Sequence, residues 1–472
     1  MPLRQREEIQ EVPRQVTAGA DQAIPGPITS SPSVGLGRRG LQLLYDACIG
    51  VVWTIMLPLF LGAGVLRPRL ARKALSLSTV GLVRLPPPAA RRKRVLVHGV
   101  SVGEIKASQS LVLALSERYE VVVSAFSDTG MQVARQLFPE IEVVRYPFDF
   151  APIVARFWRR VCPDFVLLVE LEAWPCFLRA ANRRGAPVAV VSGRITEQSF
   201  RRYQLFGALP EFGRISLFAA QDEAYAARFA ALAGSSERVL VTGNVKVDGL
   251  RGAVDGAVSD RLLDLRRQLG LPEERGAPFV IVAGSTHEPE EEAFVDAARE
   301  SLPEARLIVV PRHPERAAAV QDALAAGGRG APSPERLSEL RALGQAADPR
   351  RPLIVDTIGE LEELYGVADA VFIGGSLIPH GGQNMMEPAA QGVPVVYGPH
   401  VDNFLKETEM LEAVGAALRV DDAAALGNAL ATLAADPAMR RRMGEAGRSA
   451  LRAERGATVA TLDALRARIG LA

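Results

Sequence analysis

Glu104 closes the stretch His98 to Glu104, "HGVSVGE", which joins a short apolar run to a helix-like one. Ser101 and Glu104 have the S-x-x-E spacing of a capping box, in which each side chain satisfies a free backbone N–H at a helix start. A carboxylate held that way can also accept a proton from an alcohol. The helix dipole would keep it ionised by lowering its pKa, and Gly103 beside it would leave room for a substrate. Spacing alone favours the cap. A second group of carboxylates, Glu170 and Glu172 in "VELEAWP", follows the apolar run "FVLLV". Burying an unpaired charge is costly, so a carboxylate there should face a cleft and find a cation. Lys246 in "GNVKVD" is a candidate, and Arg194 in "SGRITEQSF" ends a neighbouring run. A Glu–Lys pair can position an anionic substrate, and it can equally be a structural ion pair across strand ends.

In the second half the residues after each apolar run suit nucleotide handling. Arg312, after Pro311 in "PRHPER", can pair with a phosphate oxygen, although a surface ion pair is the more ordinary role for such an arginine. Gly381 and Gly382 precede Asn384, which reads as the N-cap of a helix "MMEPAAQG". Free N–H groups there would favour a phosphate, with Glu387 one turn on as an acceptor for ribose hydroxyls. The same stretch reads equally well as a Gly-rich turn capped by Asn. No G-x-G-x-x-G follows the first strand and no Walker A sequence occurs, which disfavours dinucleotide and P-loop chemistry.

The elements that must position these residues are short β-branched runs alternating with amphipathic ones. This pattern predicts parallel sheets covered by helices on both faces. Seven runs, from "RVLVHGV" to "RVLVTGN", form a first series, and five, from "PFVIVAGST" to "VPVVYGP", form a second. Two doubly wound α/β domains with a cleft between them follow. Ligands in such sheets bind at the carboxyl ends of strands, where the residues named above fall. Residues 1–40 read as a disordered tail, 41–73 as a membrane anchor helix with a basic flank, and 74–250 as the first domain. Residues 251–275 read as a linker, 276–455 as the second domain and 456–472 as a C-terminal helix. Residues 325–350 lack a strand pattern and read as a surface excursion.

The anchor expectation rests on Ala47 to Val65, 19 residues without a charge, with Arg67, Arg69, Arg72 and Lys73 following. That length can just span or deeply embed in a bilayer, and the denser basic side keeps the rest cytoplasmic. With 55 Lys and Arg against 54 Asp and Glu, the whole-chain charge gives no case for a nucleic-acid partner. Three cysteines have neither the number nor the spacing of a disulfide framework or a zinc site. The five histidines, His98, His287, His313, His380 and His400, fall at predicted strand ends and hint at a polar cleft.

Taken together, "HGVSVGE", "ELEAWP", "SGRITEQSFRRY", "GNVKVD", "GSTHEPEEE", "PRHPER", "DTIGELEELYGVADAVFIGGSL" and "GGQNMMEPAAQGVPVVYGPHVDNF" resemble, in order and spacing, the 3-deoxy-D-manno-octulosonic acid (Kdo) transferases of lipopolysaccharide synthesis. The likeness covers about residues 41 to 455. It implies a GT-B glycosyltransferase architecture of two Rossmann-like domains, with the donor nucleotide held mainly by the C-terminal one. It also implies inverting transfer of Kdo from CMP-Kdo to a lipid A precursor, lipid IVA, at the cytoplasmic face of the inner membrane. No cofactor or metal is implied, since CMP-Kdo is the donor substrate; the implied partners are CMP-Kdo, the lipid A precursor and membrane lipids.

By the same resemblance Glu104 matches the general base, and Glu170 and Lys246 match transition-state stabilisers. Pro311 and Arg312, Ile358, Gly359 and Glu360, and Asn384, Met385, Met386 and Glu387 match CMP-binding segments. The sequence departs from the family where "GGHNPLEP" is usual: Gln383 replaces the His, and Met385–Met386 replace Pro-Leu. "SGR" around Arg194 replaces "NAR". The alternatives are another GT-B enzyme, such as a UDP-sugar transferase or an epimerase, and a catalytically dead membrane-bound homologue; the presence together of Glu104, Glu170 and Lys246 argues against the last.

Overall fold

The protein is described by a computed structural model. The described residues are 81–89, 92–205, 211–250, 260–273, 276–327 and 332–471, with Tyr45, Ala47, Gly50 and Val51. Nearly all of the expected anchor segment, like the expected tail, lies outside them. Those four early residues are helical, and the Tyr45 hydroxyl donates to Asp149 at 3.1 Å, tying this helix to the first domain. Among the described residues no helix is long and apolar enough to cross a membrane.

All seven runs of the first series form strands: β1 Arg94–Gly99, β2 Glu120–Ala125, β3 Glu142–Arg145, β4 Phe165–Val169, β5 Val188–Gly193, β6 Leu217–Ala220 and β7 Val239–Val241. The second sheet holds β8 Val280–Thr286, β9 Arg306–Pro311, β10 Glu335–Arg336, β11 Leu353–Ile354, β12 Ala370–Ile373, β13 Val395–Tyr397 and β14 Ala417–Arg419. Its two unforeseen members, β10 and β14, read Glu-Arg and Ala-Leu-Arg, with no apolar run to announce them. β10 and the helix Leu337–Leu343 lie in the stretch expected to be a surface excursion, and that helix buries Leu337 and Leu340.

Both sheets are parallel, ordered β3-β2-β1-β4-β5-β6-β7 and β10-β11-β9-β8-β12-β13-β14. β1 and β8, the first strands of their domains, lie inside their sheets, each flanked by its successor on one side and by a later strand on the other. Chain direction away from the sheet centre therefore reverses beside β1 and beside β8, which makes each a topological switch point. The apolar runs are continuous because each sheet is covered on both faces. Leu96, Val166, Trp158 and Phe177 fill one side of the first sheet, and Val95, Val97 and Leu167 the other. Two further clusters, around Val282 and Ile373 and around Ile281 and Phe372, do the same for the second.

The segment ends cross between the domains. Leu265 and Leu269, on the helix Asp260–Gln268 and just after it, join the core of the second domain, so the half of the expected linker that the structure describes belongs there. The C-terminal helix Ala457–Ile469 returns to the first domain, where Ala464, Leu465 and Leu471 enter the core. The Asp248 carboxylate caps it by accepting from Gly456 N at 2.8 Å and Thr458 N at 2.5 Å. This return helix ties the two domains together beside the end of β7, where Thr461 Oγ1 donates to Thr242 Oγ1 at 3.0 Å.

Candidate active site

Glu104 stands on the helix Val102–Ala107, directly after β1. Its Oε1 accepts from Ser101 Oγ at 2.7 Å and its Oε2 from Val100 N at 2.7 Å, while Ser101 Oγ accepts from Glu104 N at 3.2 Å. The capping box is therefore real, with the return bond reaching one residue further back than the standard form. Burial raises the pKa of the carboxyl, with the neighbouring Glu170 adding to the rise, in spite of the Val100 and Ser101 hydrogen bonds. The lowered pKa expected from the helix dipole is thus overturned: desolvation outweighs an end effect that reaches only one turn. A β-carbon at Gly103 would meet only Ser101 Oγ, at 3.7 Å, so the protein itself leaves that space open.

Glu170 follows β4, the neighbour of β1, and takes φ +61°, a left-handed conformation that costs a non-glycine residue about 1–3 kcal/mol. The strained turn aims its carboxylate at Lys246, whose Nζ donates to Glu170 Oε1 at 2.5 Å. Lys246 is fixed in turn by Asn244, whose Oδ1 accepts from its N–H at 3.0 Å. Glu172, two residues on, accepts from Trp174 Nε1 at 2.9 Å. Burial first, then Glu104 and Glu170, push the Glu172 pKa up to about 7. Glu104, Glu170, Glu172, Arg194, Tyr203 and, from the second domain, Phe404 line a cavity of about 350 Å³.

The first domain's switch point is thus acidic, whereas the second domain's brings together histidines and an arginine. Arg312 and His313 follow β9, His287 follows β8, and His380 lies on the loop after β12. The His287 and His380 rings lie 3.9 Å apart and those of His287 and His313 6.1 Å apart. Burial, then the charges of His380, His313 and Arg312, push the His287 pKa down to about 4. His98 does not join them. It is fully buried in β1, stacked on Tyr146 at 3.7 Å with Nδ1 against Ser124, and belongs to the core because it lies inside the strand, not at its end. His400 stands on the loop after β13, where its N–H donates to Ser376 O at 2.9 Å.

The CMP-binding candidates fall around the same strand ends. Pro311 ends β9, and the Arg312 N–H donates to Thr286 O at 2.9 Å, leaving its side chain exposed. Ile358 and Gly359 are exposed on the loop after β11, and Glu360 is tied to Arg341 at 2.6 Å. The Met386–Ala390 helix begins one residue later than the sequence suggested, with Met385 at the cap position, although Asn384 Oδ1 still accepts from Met386 N at 3.1 Å. Met385 and Met386 are buried in the core cluster, so only their main chain is available to a ligand. Glu387 accepts from Asn384 Nδ2 at 3.1 Å, and burial raises its pKa while Lys106 of the Glu104 helix lowers it.

Two residues went unsingled in the sequence. Glu290, at the start of the helix Glu290–Ser301, accepts from the N–H groups of His287, Gly375, Ser376 and Leu377 at 2.6 to 3.1 Å. One buried carboxylate thereby shapes the loop after β12. The only sequence sign of it was an acidic run opening a helix beside a strand end, which ordinarily means solvation. Asn403 joins the domains: its carbonyl accepts from Arg194 Nη2 at 2.6 Å, and its Nδ2 donates to His380 O at 3.2 Å. It packs against Gly381 at φ +93°, where a β-carbon would come within 2.4 Å of Asn403 Nδ2.

Known proteins share both the sequence and the architecture. Residues 77–249 match the family model described as 3-deoxy-D-manno-octulosonic-acid transferase (kdotransferase). The fold is similar to UDP-GlcNAc 2-epimerase from Neisseria meningitidis bound to UDP-GlcNAc, at TM-score 0.53 and 14% identity over 79% of this chain and 99% of that one. This likeness concerns the two-sheet, GT-B-like arrangement alone. The 3-deoxy-D-manno-octulosonic acid transferase of Haemophilus influenzae is 32% identical over 82% of this chain and 88% of its own length. That of Bordetella pertussis is 34% identical over 81% of this chain and 88% of its own length, and the chain belongs to the 3-deoxy-D-manno-octulosonic acid transferase family.

Proposed function

We propose that the protein transfers Kdo from CMP-Kdo to a lipid A precursor, lipid IVA, with inversion at the anomeric carbon and no step through a metal or cofactor. The observation that carries this reading is an acidic switch point, Glu104 with Glu170 and Lys246, together with a second-domain switch point that holds the exposed Arg312. An alcohol is a poor nucleophile at neutral pH, so its proton must leave as the new bond forms. Glu104 accepts that proton, and its raised pKa makes it the stronger base once ionised. The alcohol oxygen bonds to the anomeric carbon, the bond from that carbon to the phosphate oxygen breaks, and CMP leaves with the electron pair.

Charge builds on the departing phosphate, where Arg312 and main-chain N–H groups around Asn384 stabilise it. Pro311, Ile358, Gly359, Glu360 and Glu387 shape the rest of the CMP site, with Met385 and Met386 contributing main chain only. The Lys246 ammonium, held by Glu170, supplies positive charge beside the reacting centre. A lipid acceptor accords with the charge-free run Ala47 to Val65 and its basic flank, which attract the protein to anionic lipid at the cytoplasmic face of the inner membrane.

Purified protein is incubated with a CMP-Kdo-generating system and a Kdo-free lipid A precursor, and the products are weighed by mass spectrometry. Addition of one or more Kdo units supports the reading. Activity with UDP-sugars alone overturns it in favour of another GT-B reaction, the alternative that the fold likeness to an epimerase leaves in view.

A further inference from the structure

His287, His380 and Gln383 have no part in the roles assigned above, yet they converge at the second domain's switch point. The His287 and His380 rings are 3.9 Å apart, and Gln383 Nε2 lies 3.3 Å from His287 Nε2. All three pack onto bare main chain: a β-carbon at Gly375 would stand 3.3 Å from His380, 3.4 Å from His287 and 3.6 Å from Gln383. The nearby carboxylates are engaged elsewhere. Glu290 is taken up by four main-chain N–H groups, Glu291 and Glu288 by Arg316, and Glu315 by His313. What remains is a set of N–H donors beside Arg312 with no anion assigned to it.

The donor of the proposed reaction carries two anionic groups on one carbon, a phosphodiester and a carboxylate. Arg312, on the adjacent strand end, suits the phosphate. We propose that His287, His380 and Gln383 form a neighbouring subsite that receives the carboxylate of the donor's sugar acid. This rests on the CMP-Kdo reading given above. Gln383, donating its amide N–H to His287 Nε2, selects the tautomer with the proton on Nδ1 and so fixes which nitrogen of that ring can donate. His380 supplies a second donor from an exposed loop, held in place by Asn403 through its carbonyl. The amide where the family usually has an imidazole thus keeps a donor at that place.

The test uses the full-length protein in detergent with His380→Ala and Gln383→Leu. His380 is exposed and Gln383 half-buried, so thermal unfolding should match that of the unaltered protein. KM for CMP-Kdo is measured by transfer, and Kd for CMP by calorimetry. Loss of hydrogen bonds to a charged group should raise KM for CMP-Kdo about 10- to 100-fold, with CMP affinity unchanged. A parallel loss of CMP affinity would assign these residues to the phosphate and overturn the proposal, as would an unchanged KM. Absence of transfer by the unaltered protein overturns the functional reading and this inference with it.

Discussion

Lys246 meets Glu170 at 2.5 Å, joining the turn after β7 to the strained end of β4. The pair is about four-fifths buried on each side. It holds a positive charge among three carboxylates that would otherwise repel one another. Lys246→Ala therefore leaves Glu170 unpaired beside Glu104 and Glu172. We expect a stability loss of about 1–2 kcal/mol, between the values for exposed and fully buried pairs, and a much larger loss of turnover. Denaturant titration and steady-state transfer measure the two separately; equal proportional effects would make the pair purely structural.

Glu104→Gln keeps one acceptor oxygen for the Val100 N–H but cannot take a proton. Transfer should fall about 10²- to 10⁴-fold while CMP binds as before. Near-normal single-turnover rates would remove Glu104 from the role of base.

Glu172 gives the protein a dependence on pH. Its pKa stands at about 7 in the fold against an ordinary value of 4.5, so the folded state binds the proton more tightly than the unfolded one. The stability this group contributes is complete below the unfolded value and is lost as pH rises from about 4.5 through 7. Glu172→Gln should flatten the melting temperature over that window. A curve that keeps its slope would show that Glu172 is not the group responsible.

Arg312→Ala should weaken CMP binding about 10- to 100-fold, the range for a hydrogen bond to a charged group. The side chain is exposed and its backbone bond to Thr286 survives truncation, so melting should not change. Calorimetry with CMP, and with cytidine as a ligand lacking the phosphate, checks that the loss is specific to phosphate.

Glu290→Ala should be the most damaging single change outside the apolar core. It strips the acceptor from four N–H groups, three of them in the loop after β12. With each buried donor left unsatisfied costing about 1–3 kcal/mol, a loss of at least 3 kcal/mol is expected in denaturant titration. Glu290→Gln, which keeps one acceptor oxygen, should recover part of it.

The apolar runs are legible in sequence because a strand covered on both faces has little choice of residue. All seven strands of the first sheet, and five of the second, could be read that way. β10 and β14 could not, since Glu335–Arg336 and Ala417–Arg419 include charged residues and form no apolar run. The site divides along the same line. Glu104, Glu170, Arg312 and Asn384 follow apolar runs and could be named, whereas Glu290 looked like any acidic helix start.

By itself, the order of residues determined two parallel α/β domains, the strand ends at which chemistry could occur, and the motifs that mark the family. These are local matters of hydrophobic period and chain order. The tertiary structure decided what depends on distance and desolvation. It put His98 in the core and His287 beside His380, raised the Glu104 pKa where the helix end alone would have lowered it, and brought Asn403 between Arg194 and His380. Charge, pKa and partnership are properties of neighbours that the chain brings together only on folding, and so they could be read only from the folded protein.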